Sequence, residues 1–172
     1  MSFEEIINNK ALKPKEKTQI LCNWILSNAS ESNKLLQYSA NCKDALKATC
    51  IEAFEMATKT KPEIVSSTSF NFFVNCLNEK APRIKWESAR VIGNIAAYHK
   101  NNLDDAAINL IQNAEHTGTV VRWSAAFALG EILKLNTSLN KELLPKIDSL
   151  CKKEEKNSIK KIYLSALKKS SH

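Results

Sequence analysis

Apolar residues at 84–95 recur at the i, i+3, i+4, i+7 spacing of a helix with one buried side, and nearly the same set returns at 121–132. Two further copies fall into register when Lys47, Lys85, Arg122 and Lys160 are placed in one column, separated by 38, 37 and 38 positions. The residue before each is Leu46, Ile84, Val121 or Ile159. Three residues after come Cys50, Ser88, Ala125 and Tyr163, then Ile51, Ala89, Ala126 and Leu164. Gly93 and Gly130 share another column.

Upstream of each copy lies a second amphipathic stretch, also in register: Phe70, Ala107 and Leu144 correspond, as do Phe73, Leu110 and Ile147. The linking segments NEKAPRI, AEHTGTV and EKNSI are short and polar. Each unit therefore reads as helix, turn, helix. An offset of 30 places Lys17 under Lys47, so 14–28 reads as the second helix of a degenerate first unit. The predicted organisation is one all-α domain of four to five units: a degenerate repeat at 1–30, repeats at 31–65, 66–100 and 101–137, and a basic capping repeat at 138–172. A two-helix period of 37–38 residues predicts an α-solenoid, because one pair cannot bury both its faces and stacked pairs share a core. Small residues at 89, 93, 125, 126 and 130 would let neighbouring helices approach closely.

The stretch V-R-x-x-A-A-x-A-L-G-x-I at 121–132 resembles the second helix of HEAT repeats, and I-K-x-x-S-A-x-V-I-G-x-I at 84–95 is a looser match. ELLPKI at 142–147 resembles the first HEAT helix, where a proline often kinks the chain. The likeness covers about 68–172. It implies a right-handed solenoid whose second helices line a concave groove, and a binding style rather than a reaction. HEAT units commonly pair the basic residue with an aspartate in the turn inside the repeat; NEKAPRI and AEHTGTV carry none.

What remains outside the apolar columns is a narrow strip: Thr49, Glu52 and Met56, then Glu87, Arg90 and Asn94, then Ser124, Phe127 and Glu131, then Ile162, Ser165 and Lys169. Trp86 and Trp123 flank it in one column. These tryptophans either fill space between repeats or line the groove as anchors for a partner. The candidate partner-binding set is Trp86, Glu87, Arg90, Asn94, Trp123, Phe127 and Glu131. The function read from it is a non-catalytic scaffold that binds a protein or peptide along the groove.

The alternative is nucleic acid. W-E-S-A-R at 86–90 is similar to the W-D-x-x-D stretch of the DNA alkylation repeat glycosylases, which are also HEAT-like solenoids. Arg90 stands at the position of their catalytic aspartate, and an arginine can neither act as the base nor stabilise a developing cation. That likeness therefore implies nucleic-acid binding without base excision. The net charge is +7, and 141–172 holds nine lysines against four acids. Lys152, Lys153, Lys156, Lys160, Lys161 and Lys169 form either a phosphate-binding patch or the polar outer face that a terminal repeat needs.

Composition narrows the rest. At 44% apolar and 25% charged residues the chain is globular, and three glycines and four prolines suit helices better than sheets. No signal-peptide pattern and no apolar run of about 18 residues occurs, so a cytoplasmic protein is expected, with monomer favoured. Cys22, Cys42, Cys50, Cys76 and Cys151 contain no C-x-x-C pair, and most of them read as reduced, buried thiols. His99 and His116 have no ligand-like neighbours, so neither a metal nor a cofactor is expected. Glu154–Glu155 reads as a solvated helix end, and no hydrolase, zinc-protease or phosphate-loop motif occurs, so no catalytic residue is assigned.

Overall fold

The computed structural model describes residues 1–170, and every regular element among them is helical. Ten α-helices alternate as pairs: α1 (Phe3–Asn8) with α2 (Pro14–Ser27), α3 (Ser32–Ala40) with α4 (Asp44–Thr58), α5 (Ser67–Cys76) with α6 (Pro82–Ile95), α7 (Asp104–Asn113) with α8 (Thr119–Leu133), and α9 (Asn140–Lys153) with α10 (Asn157–Lys169). Local chemistry sets several starts. Ser2 accepts from the Glu5 amide at 3.2 Å while Glu5 accepts from the Ser2 amide at 2.7 Å, a reciprocal capping box. Ser66 caps α5, and Pro14 and Pro82 occupy first-turn positions where no amide donor is needed. After α8 the chain turns through Asn136 at φ 51°, a left-handed conformation that asparagine tolerates.

The even-numbered helices pack one on the next in an unbroken layer, α2 on α4, α4 on α6, α6 on α8 and α8 on α10. The odd-numbered helices touch one another much less. A stack that is tight on one side and splayed on the other must curve, with the tight layer inside. The molecule is therefore an all-α solenoid of stacked helix pairs whose second helices form the inner face. One continuous core runs between the layers, from Phe3 and Ile6 through Phe54, Phe73, Ile92 and Leu129 to Tyr163, all of them buried. No helix among the described residues is long and apolar enough to cross a membrane.

Small residues permit the tight layer. Ala53, Ala57, Ala89, Ala125, Ala126 and Ala166 are at most 1% exposed. Gly93 receives the ring of Phe127 from the next helix, and a Cβ there would collide with it. Gly130 faces Ala166 and Ile162, where a Cβ would lie at ordinary contact distances of 3.5 and 3.7 Å.

The basic column stitches consecutive pairs together. Lys47 at the start of α4 reaches Glu79 in the turn after α5, at 2.5 Å. Lys85 in α6 donates to Leu77 O at 2.8 Å and to Asn113 Oδ1 at 3.1 Å, and Asn113 donates back to Leu77 O. Arg122 in α8 grips Glu154, after α9, at 3.0 and 3.3 Å, and its remaining nitrogen donates to the carbonyls of His116 and Thr117. Burial opposes ionisation of Glu154, but the Arg122 guanidinium and nearby amides outweigh it and hold the carboxyl below its usual range. The turns inside the repeats lack the expected aspartate, yet a ladder exists: each cation takes its side-chain acceptor from the following pair, while Lys85 and Arg122 also hold backbone carbonyls of their own pair.

The two glycines should respond oppositely to alanine. Gly130→Ala should stabilise by roughly 0.5–1 kcal/mol through helix propensity, since the new methyl fits. Gly93→Ala should lose more than it gains, because displacing the Phe127 ring is overpacking at about 1–3 kcal/mol. Urea unfolding of both variants checks this, and equal shifts would refute the packing assigned to Phe127.

His99 yields a pH prediction. It is buried after α6, stacked on Phe70 at 4.6 Å, and Nε2–H donates to Val65 O at 3.0 Å. Burial pushes its pKa below 6.5, and the bond to Val65 only partly opposes this. The folded state therefore binds fewer protons at this site than the unfolded chain does. The stability present above pH 6.5 is lost as pH falls from there toward the lower folded value. Glu87, raised by burial, has the opposite sign at lower pH, so the comparison must be differential. His99→Gln, which keeps an amide donor for Val65, should show a flatter loss of melting temperature between pH 7 and pH 5.5, a window on the acid side of the histidine's normal range.

Candidate functional site

Helical spacing of i, i+3, i+7, i+11 brings one row of each second helix to the inner face. On α6 the row is Arg83, Trp86, Arg90 and Asn94; on α8 it is Val120, Trp123, Phe127 and Glu131; on α10 it is Ser158, Lys161, Ser165 and Lys169. The exposed strip is narrower than the sequence pattern suggests. Thr49, Glu87 and Ser124, which share a column of the expected strip, are buried. The reason is the close approach of the helices, which covers any residue leaning toward a neighbour.

The half of the face around α4 and α6 is occupied by its own ion pairs. Glu55, only 2% exposed, is met by Arg90 of α6 at 2.8 Å and by Lys59 at 2.8 Å. Arg90 also lies 3.6 Å from Glu87. Trp86 turns its ring nitrogen toward Glu87, donating at 2.9 Å, and is itself half-buried. Burial raises the Glu87 carboxyl above its usual range; the Trp86 bond and Arg90 act against this, while Glu52 and Glu55 add to it. Arg83 holds Glu52 at 2.7 Å, and Thr18 also donates to that carboxylate. Asn94 donates to Glu55 O and Thr58 Oγ1, both at 3.1 Å, tying α6 to the end of α4. Arg90 is thus a strut between helices, facing Glu55 rather than a ligand.

Sequence reading missed Glu55, although a signal existed. It stands in the column occupied by Gly93 and Gly130, so a carboxylate sits where the next two pairs hold bare backbone. The partner residue differs accordingly: Arg90 lies against Glu55, whereas Phe127, one repeat on, lies against Gly93.

The half around α8 and α10 is different. Trp123 is 38% exposed and stacks parallel to Phe127, with centroids 6.0 Å apart and planes 9° apart. Val120, 51% exposed, extends this apolar row at the start of α8, and the sequence reading did not select it. Glu131 engages Lys134. Between α8 and α10 lies a cleft of about 310 Å³ with Phe127 as one wall and Gly130, Ile162 and Ala166 beneath.

The lysines read as a phosphate patch do not share one surface. Lys152 pairs with Asp148 at 2.6 Å and Lys153 lies 3.6 Å from Glu115, both at the end of α9. Lys156 is exposed in the turn that follows. On α10, Lys160 and Lys169 are nine residues apart and so point to opposite sides, while Lys161 joins the cleft. Among the described residues no cluster of three histidine, cysteine, aspartate or glutamate side chains is placed to hold a metal ion. All five cysteines are free, and burial pushes the Cys50 thiol up to about 12 and Cys76 up to about 11.

No protein-family model matches the chain, and no curated protein matches it in sequence. Solved structures do match in fold. A designed armadillo repeat protein in complex with the peptide (KR)4 is 16% identical, with 98% of this chain and 80% of that chain covered at a TM-score of 0.76. A computationally designed armadillo repeat protein for modular peptide recognition is 14% identical over 97% of this chain and 80% of that chain, TM-score 0.72. The complex of CpcE and CpcF of phycocyanin lyase from Nostoc sp. PCC7120 is 14% identical over 95% of this chain and 96% of that chain, TM-score 0.71. At these identities the likeness is one of fold, a stack of helical repeats.

The two tryptophans should differ in structural weight. Trp123→Ala should cost about 1 kcal/mol, chiefly its stack on Phe127. Trp86→Ala should cost roughly 2–3 kcal/mol, because it removes a half-buried ring and the donor to a buried carboxylate. Arg90→Ala should cost about 1–3 kcal/mol by leaving Glu55 and Glu87 without their shared cation. Denaturant titration of the three variants checks the order, and a Trp123 loss equal to that of Trp86 would place Trp123 in the core.

Proposed function

We propose that the chain is a non-catalytic scaffold that binds an extended segment of a protein or peptide along its inner helical face. The observation that carries this reading is the exposed, parallel Trp123–Phe127 stack on α8. A large ring presented to solvent on the inner face of a curved stack costs solubility and contributes little to folding. Tryptophans in such positions are the usual anchors of binding interfaces. Both designed armadillo repeat proteins of similar fold are described as peptide binders, which supports the binding style by analogy. The repeats are read as HEAT-like, from the 121–132 helix, and the protein as cytoplasmic and monomeric. The absence of catalysis is read from the inner acids: Glu52, Glu55 and Glu87 are each engaged by an arginine.

Selection of a random peptide library on the immobilised protein tests this. Enriched peptides should bind the wild type and lose at least about tenfold in affinity, near 1.4 kcal/mol, against Trp123→Ala. The variant should retain a cooperative melt. No enrichment, or peptides that bind Trp123→Ala equally well, would place the binding surface elsewhere.

A further inference from the structure

The distribution of unpaired charge along the inner face indicates what such a segment would carry. Around α4 and α6 every inner arginine is already neutralised, Arg83 by Glu52 and Arg90 by Glu55 and Glu87, so a ligand there would have to break existing ion pairs. Around α8 and α10 the balance changes. Glu131 is engaged by Lys134, whereas Lys161 and Lys169 are exposed and form no ion pair among the described residues. Lys161 and Lys134 stand at the rim of the cleft between α8 and α10.

The cleft is apolar below, and of the charged residues that line it Glu131 and Lys134 pair with each other, which leaves Lys161. Its wall is the Phe127 ring that carries Trp123, and its floor is Gly130, Ala166 and Ile162. The absence of a side chain at Gly130 keeps it open. At about 310 Å³ it lies at the small end of the range for ligand pockets and suits one large side chain rather than a whole ligand. The carboxylate that lines it, Glu131, is already held by Lys134, and the whole chain carries a net charge of +7.

From this geometry, and resting on the scaffold reading above, we infer that the α8–α10 cleft is the anchor subsite for an acidic peptide. One apolar side chain of the peptide seats on Phe127, Gly130 and Ile162. Flanking carboxylates meet Lys161 at the cleft and Lys169 further along α10, and the exposed Trp123 face covers the next peptide residue. The polarity is opposite to that of the (KR)4 ligand of the designed armadillo repeat protein.

Fluorescence anisotropy with three fluorescein-labelled peptides tests the inference on the full chain. One peptide is rich in glutamate and aspartate around a single central leucine. The second replaces that leucine with serine. The third keeps the leucine and replaces every acid with lysine. The acidic leucine peptide should bind at least about tenfold more tightly than either of the others, and its affinity should fall as salt rises. Lys161→Glu should weaken it by about tenfold or more, and Ser165→Trp, which fills the cleft from an exposed position, should do the same. Neither substitution touches the buried core, and a cooperative melt confirms the fold of each.

Equal or tighter binding of the lysine peptide, lost in Trp123→Ala, would overturn the acidic assignment while leaving the scaffold reading intact. Binding of the acidic peptide that ignores both Lys161→Glu and Ser165→Trp would overturn the subsite. Failure of the acidic peptide to bind overturns the inference, and an empty library selection alongside it removes the scaffold reading as well.

Discussion

The close approach of consecutive second helices is the constraint on which the rest of this structure depends. Backbones come near enough for a ring to rest on Gly93 and for Ala166 to face Gly130 only because alanine and glycine occupy the contact columns. That closeness is confined to one layer, so the stack curves. Curvature makes an inner face, and tight spacing makes it narrow. The burial of Thr49, Glu87 and Ser124 follows from the same cause: residues that would line a wider strip are covered by the neighbouring helix. What stays accessible is one row per helix.

Charge does two separate jobs along the stack. At the edge, the column of Lys47, Lys85 and Arg122 ties each pair to the next through Glu79, Asn113 and Glu154. These are partly buried contacts with helix ends and turns, where a cation also satisfies carbonyls that have no partner within the helix. On the inner face, Glu55 and Arg90 do for α4 and α6 what Gly93 and Phe127 do for α6 and α8. Both arrangements fill the equivalent space between consecutive second helices, one with an ion pair and the other with a ring over bare backbone. Removing one member of the ionic version leaves a buried charge, so it specifies its neighbour more strictly than the apolar version does.

The inner face is consequently divided into two parts. Its α4–α6 portion is satisfied by its own ion pairs, while its α8–α10 portion presents an aromatic stack, an open cleft and lysines with no ion pair among the described residues. A scaffold with this division would hold a partner mainly at one end. The saturated half would contribute shape, and its internal ion pairs would disfavour ligands of either charge there.

Most of the fold was legible in the sequence because a solenoid is nearly one-dimensional. Each helix meets only its neighbours, so periodicity of apolar and small residues is a sufficient record of packing, and the column through Lys47, Lys85, Arg122 and Lys160 marks every second helix from α4 onward. The aromatic row of Trp123 and Phe127 was equally visible. What the sequence did not contain was the partner of each polar side chain. Arg90 has acids at positions 52, 55 and 87 within reach of a helical wheel, and only the spacing of α4 against α6 selects Glu55. The ladder acceptors lie 28 to 32 residues beyond their cations, outside the repeat in which a sequence motif would seek them. Burial of Glu87 and exposure of Trp123 were likewise decided by tertiary packing, since the two belong to adjoining columns of the same pattern and differ only in which side of the helix a neighbour covers.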